Sequence, residues 1–185
     1  LEFRRVLFRS LENIVGRSAY LALLTENPQV LTELLFWFAN SSFITALLVN
    51  QPFLLEVLLD QDQEWRPQSR QQLHDLLVEK LGHHQDLEAQ EEMLRQFKLT
   101  NWLMAARAEL YGFSSSVRIG KFLADVAHVI VNQVLVISSK QLSLRYPEMK
   151  EIESHFAIIA YGKLGSREMN YASDLDLVFL HTLDR

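Results

Sequence analysis

Thirty consecutive residues, 116–145, carry apolar side chains at helical steps: Ile119, Phe122, Leu123, Val126, Ile130, Val134 and Ile137. The valine and isoleucine content favours strand. Strands, however, are seldom longer than about 10 residues, and steps of three and four are the period of a helix. A long helix ending before Pro147 follows, and a chain holding one must be built largely from helices packed against it. The preceding sequence agrees. Val30, Leu31, Leu34, Leu35 and Phe38 form a stripe behind Asn27-Pro28, a capping residue with proline in the first turn. Ser41 and Ser42 can cap a second helix bearing Phe43, Ala46, Leu47 and Val49, and Pro52 opens a third with Phe53, Leu54, Val57 and Leu58. DQDQEWRPQS (60–69) is a polar connector; Leu73, Leu76, Leu77 and Leu81 mark a short helix stopped by Gly82, and residues 86–111 a longer one. Residues 11–150 are expected to form a helical domain.

Composition narrows the function classes. The 185 residues are 49% hydrophobic and 22% charged, which is globular and not disordered. A formal charge of −5 is the wrong sign for a protein that lives on nucleic-acid backbone, so Trp37, Trp65 and Trp102 are read as packing and not as a base-stacking platform. With no cysteine, a disulfide scaffold, thiolate zinc sites and a cysteine nucleophile are excluded, and a reducing cytoplasm is the expected compartment. Leu34–Leu55 lacks charge, but Asn40-Ser41-Ser42 and Asn50-Gln51-Pro52 interrupt it, so two short buried helices are expected and no membrane span. The opening LEFRRVLFRS (1–10) breaks with the pattern that follows, and Leu-Glu-Phe is what adjoining restriction sites encode. It is read as vector- or adapter-derived and left out of the functional reading.

Beyond residue 154 the texture changes. HFAIIAYG (155–162) reads as a short buried strand, GSREMNYAS (165–173) as a turn, and DLDLVFLH (174–181) as a second strand. The expected fold is therefore mostly α with a partial α/β unit, residues 151–185 beginning a second domain. Asp174 and Asp176, two apart in a strand, would leave one face with Cα atoms about 6.6 Å apart. Such a pair can converge on Mg²⁺, which binds through one or two carboxylates plus substrate phosphates. Gly165 and Ser166 follow the first strand, where glycine lets backbone approach a phosphate, free N–H groups favour an anion and the hydroxyl adds a donor. Together these parts would suit a nucleoside triphosphate. The plainer reading is a solvated Asp-x-Asp and an ordinary Gly-Ser turn. Against it, two carboxylates interrupt an apolar strand, where unpaired charge is costly.

The run YGKLGSREMNYASDLDLVFLH resembles the nucleotidyltransferase signature of the glutamine synthetase adenylyltransferase / adenylyl-removing family, within the DNA polymerase β-like superfamily. RSAYLALLTENP (17–28), QPFLLEVLLD (51–60) and LRQFK (94–98) resemble its helical region. YGKLG and SDLDLVFLH are more similar to the C-terminal, adenylylating half than to the removing half, which tends to read MGKLG and SDIDLIF. The resemblance implies a helical domain followed by the first β-turn-β of a nucleotidyltransferase domain. It further implies Mg²⁺ on Asp174 and Asp176, ATP phosphates on Gly165 and Ser166, and transfer of AMP to a tyrosine of glutamine synthetase, with the PII signal protein as a regulatory partner. Ser166 stands where the family usually has a second glycine, and Met104 where it commonly has arginine. The third carboxylate of the superfamily belongs to a later strand, so the isolated 185-residue polypeptide is expected to be inactive. The alternatives are the AMP-removing half and a non-catalytic helical interaction module. Neither His128, on an apolar helix, nor the adjacent His83 and His84 suggests a metal site; His181 is near enough in sequence to the aspartates to be worth substituting.

Overall fold

Proline and serine set where the helices begin. Pro28 occupies the first turn of α1 (Pro28–Asn40), where its missing N–H has no intrahelical partner to lose. Ser41 ends α1 and caps α2 (Ser42–Asn50), its Oγ accepting from the Ile44 N–H at 3.2 Å. The structure, a computed structural model, describes residues 24–59, 65–84, 86–147 and 152–182. The expectations for residues 1–10, for most of the 17–28 segment and for part of the polar connector lie outside these.

The chain divides into two compact units. The first comprises the described residues up to Trp65 together with Ala106–Phe113. Its α1 stripe is not quite the expected one: Val30, Leu34, Trp37 and Phe38 are buried, while Leu31 and Leu35 are exposed. Trp37 explains the rotation. The largest fully buried side chain of the unit draws the inward face toward itself, and its Nε1 donates to the Tyr111 hydroxyl at 3.1 Å. Tyr111 donates in turn to Glu33 Oε1 (3.3 Å), which also accepts from Arg107 Nε at 2.9 Å. Burial, opposed by the Trp37 hydrogen bond and seconded by the Glu33 charge, raises the Tyr111 pKa. Pro52–Leu59 is a 3₁₀ helix and not the expected continuation of the α pattern; it opens with the short-range bond from Leu54 N–H to Gln51 O (3.1 Å) and buries Leu54 and Leu55.

The second unit comprises residues 66–105 and 114–185. Helix α3 (Arg70–Gly82) starts in a capping box, with Ser69 Oγ accepting from Gln72 N–H while Gln72 Oε1 accepts from Ser69 N–H. Helix α4 (Leu87–Leu110) places its residues up to Ala105 in this unit. The 30-residue helix α5 (Ser116–Arg145) is present as expected, with Ser115 as its cap. Its buried face runs through Ile119, Phe122, Leu123, Val126 and Val129 and continues to Gln133; Val134 is exposed, so the expected stripe holds only for the first half. The uncharged stretch Leu34–Leu55 forms short helices as expected, running through α1, α2 and the start of the 3₁₀ helix. Only α5, among the described residues, is long and apolar enough to cross a bilayer, and half of its most apolar 18-residue stretch is buried inside the protein.

After a 3₁₀ turn at Ile152–His155, β1 (Phe156–Ala160) pairs antiparallel with β2 (Leu177–His181), Phe156 opposite His181 and Ala160 opposite Leu177. Both strands fall within the expected segments, but β2 begins at Leu177 and not at Asp174, and their exposure was not expected. Ile159, Val178, Phe179 and Leu180 are exposed, because a two-stranded ribbon has one neighbour per strand and lacks a covering layer among the described residues. The short helix α6 (Gly162–Gly165) and the loop after it lie between the strands. Replacing Ser69 by Ala should lower the stability of the chain by about 1 kcal/mol in urea unfolding, because it removes the Oγ acceptor of the Gln72 N–H while the backbone half of the capping box remains. An unchanged midpoint would show that α3 does not need the cap.

Candidate functional site

Gly162 takes the chain out of β1 with φ of +55°, a conformation that side chains with a Cβ rarely adopt. A Cβ there would also overlap Asp176 Oδ2 and lie 3.3 Å from its Cγ, so the Asp176 carboxylate rests directly against the start of α6. Gly165 is needed for a different reason. A Cβ at this residue would lie 2.6 Å from Ala160 O, so the turn can fold back on the end of β1 only without one. The expected free N–H groups at Gly165 and Ser166 are not found. Gly165 N–H donates to Tyr161 O (3.1 Å) and Ser166 N–H to Gly162 O (3.0 Å), because the turn closes as a helix and uses them itself. What Ser166 presents is an exposed hydroxyl, 3.3 Å from Glu168 Oε2 and 3.5 Å from Lys163 O.

The loop then closes around Asn170, whose Oδ1 accepts from Ala172 N–H and from the Ser173 hydroxyl, both at 2.9 Å. This turn delivers Asp174 and Asp176 just ahead of β2, not within it. The ladder stops because its partner turns away: Ala160 pairs with Leu177, and one further bond, Tyr161 N–H to Asp176 O at 2.8 Å, is made before Gly162 bends the chain. Both aspartates are exposed, so they are not charges buried in an apolar strand, and the cost of such burial does not argue for them. Their carboxylates form no ion pair among the described residues, nor do three or more His, Asp or Glu gather there as a metal cluster. Two exposed carboxylates outside any ion pair, Asp176 against the start of α6, nonetheless suit the chemistry of Mg²⁺, which keeps several waters and needs few protein ligands. His181 stands at the far end of β2 from Asp176, about 17 Å along the strand, which separates it from the pair.

Sequence reasoning missed the group that holds this loop to the helices. Asp125, in the middle of α5 and with its side chain 13% exposed, receives Arg70 Nε (2.8 Å) and Nη2 (2.6 Å) on Oδ1 and Arg167 Nη2 (2.6 Å) on Oδ2. A lone carboxylate in an apolar helix was the signal. One turn on from Asp125 is His128, whose Nε2 lies 3.0 Å from the Asn132 side-chain amide. Burial holds the His128 pKa below its ordinary value; the Arg70 and Arg167 charges act the same way and Asp125 opposes them.

The sequence model of the glutamate-ammonia ligase adenylyltransferase family matches residues 31–185. The bifunctional glutamine synthetase adenylyltransferase/adenylyl-removing enzyme of Hahella chejuensis is 39% identical over 184 residues, covering 96% of this chain and 19% of its own length. Proteins of the same description from Thioalkalivibrio sulfidiphilus and Pseudomonas putida are 37% identical over 177 residues and 38% identical over 180, covering 91% and 94% of this chain and 18% of their own lengths. The chain thus spans about a fifth of the length of the curated relatives it matches.

Two outcomes follow from the geometry. Gly162→Ala should cost about 1–2 kcal/mol for the left-handed backbone alone, and more because the new methyl must displace Asp176; urea unfolding equal to that of the unsubstituted chain would contradict it. A histidine whose folded pKa lies below the unfolded value of 6.5 contributes stability that is full above that value and lost as pH falls through the folded pKa. Between about pH 7.5 and 5.5 the urea midpoint should therefore fall further for the unsubstituted chain than for His128→Gln, and parallel falls would exclude His128 as the source.

Proposed function

The chain belongs to the glutamate-ammonia ligase adenylyltransferase family, and from that membership we propose that the longer protein it matches transfers AMP from ATP to a tyrosine of glutamine synthetase. The observation that supports this reading is the contact between Asp176 and Gly162, an exposed carboxylate against the first residue of the short helix that ends at Gly165. The preference for adenylylation over removal rests on the wording of the motifs, YGKLG and SDLDLVFLH.

In this reading the tyrosine hydroxyl attacks the α-phosphorus of ATP in line. A new oxygen–phosphorus bond forms, the bond to the bridging oxygen breaks, pyrophosphate leaves with the electron pair, and the hydroxyl proton passes to water. Asp174 and Asp176 would hold Mg²⁺, which when bound neutralises charge on the phosphates. The Ser166 hydroxyl donates to a phosphate oxygen, and Gly165 keeps the turn against the end of β1. Glutamine synthetase is then the protein substrate, the PII signal protein a regulatory partner and the cytoplasm the compartment.

The test uses the full-length protein and ATP labelled on the α-phosphate. Label should appear on glutamine synthetase and be lost by at least about 100-fold in Asp176→Asn, as expected when a directly acting charge is removed. Label that persists while removal of AMP from adenylylated glutamine synthetase is lost would assign the pair to the removing reaction. Both activities intact would leave the chain a helical interaction module.

A further inference from the structure

Arg167 has φ of +59° and is not glycine. Left-handed backbone at such a residue costs about 1 kcal/mol or more and persists where the surroundings over-determine it. Glycine would relieve that strain, so what holds the conformation must come from the contacts of the side chain and its neighbours. The guanidinium reaches 2.6 Å to Asp125 Oδ2 on α5. A second hold lies two residues on. Met169 is buried, and its carbonyl oxygen would lie 3.1 Å from a Cβ at Gly120, so the loop backbone is packed onto α5 where that helix has no side chain. The Ser166 turn is thus fastened on both sides: to β1 through Gly162 and Gly165, and to α5 through Arg167 and Met169.

Asp125 is mostly buried and its two oxygens are divided: Arg70 donates two N–H groups to Oδ1 and Arg167 one to Oδ2, the arginines being 43% and 46% exposed. Removing Asp125 takes the partner from both arginines, whereas removing the Arg167 guanidinium leaves the Asp125–Arg70 pair and frees only the loop. The loss opens Oδ2, and with glycine at the position relief of the left-handed backbone offsets part of that cost. What Arg167 alone adds is the place where the turn sits.

We propose that Arg167, acting through Asp125, is a positioning residue for nucleotide: it sets the Ser166 hydroxyl, one residue earlier, at a fixed place on the helical platform. This rests on the reading that Ser166 meets the phosphates of ATP. A displacement of about 1 Å in such a group costs up to about 100-fold.

The experiment uses the full-length protein with Arg167→Gly, which accepts the same backbone conformation and deletes the tether, and Arg167→Lys, which restores a cation. KM for ATP should rise about tenfold or more in Arg167→Gly with the unfolding temperature within about 2 °C of the parent, and return most of the way in Arg167→Lys. Unchanged KM and kcat in a folded Arg167→Gly would overturn the proposal. So would losses that only track a fall in unfolding temperature, since that is a structural role. Asp176→Asn in the same assay separates the failures. If it abolishes transfer while Arg167→Gly is neutral, only the positioning role falls; if it leaves transfer intact, the functional reading falls and this one with it.

Discussion

One carboxylate organises the second unit. Asp125 is the only carboxylate of the long helix and its side chain is 13% exposed, and a charge so covered is tolerable only if its oxygens are satisfied. Arg70, at the first position of α3, and Arg167, beyond α6, do so from opposite ends of the sequence. A helix start, the long core helix and the loop ahead of Asp174 are thereby registered to one another through a single side chain. The arginines remain about half exposed, so their desolvation is partial and the carboxylate carries most of the burial. The arrangement gives definite geometry more than net stability, which is the usual balance for an ion pair of this kind.

The glycines complete that geometry by allowing approaches that no side chain would permit. Gly120 admits the Met169 carbonyl to α5, Gly165 admits the Ala160 carbonyl to α6, and Gly162 admits the Asp176 carboxylate while turning the chain. Each closes one side of the same loop. A two-stranded ribbon is marginal alone, so the loop's order comes from these contacts and from α5 more than from the strands. The exposed apolar side chains of β1 and β2 are consistent with that division.

The sequence was legible where its signal is periodic or local. The 30-residue helix, the serine cap at Ser41 and the Gly-Ser turn between two short strands were all readable, because helical period, capping chemistry and β-branched runs act over a few residues; the Ser69 cap lay in a stretch read only as a polar connector. The phase of each stripe was less so. Leu31 and Leu35 look as good as Val30 and Leu34 until Trp37 chooses the inward face, and Val134 belongs to a stripe that the second half of α5 does not bury. The aspartates were misplaced by one to three residues because the end of a strand depends on its partner, and Gly162 removes that partner. The N–H groups of Gly165 and Ser166 were assigned to a ligand because nothing in the sequence says that the turn will close on itself. Asp125 was overlooked although the principle applied to Asp174 and Asp176 pointed to it.

That principle separates carboxylates by what their oxygens are doing. Glu33 in the first unit is nearly buried and occupied by Arg107 and Tyr111; Asp125 in the second is nearly buried and occupied by two arginines. Both are committed to the fold and have nothing to offer a ligand. Asp174 and Asp176 are the reverse: exposed, outside any ion pair among the described residues, and held in place by backbone through the Tyr161–Asp176 bond and the Asn170 turn. A site for a hard cation and a polyanion needs carboxylates that are fixed in position but idle in chemistry. Burial selects the first kind and a short, glycine-bounded turn the second, so the exposure that removes the sequence's reason for noticing the pair is also what leaves the pair free to act.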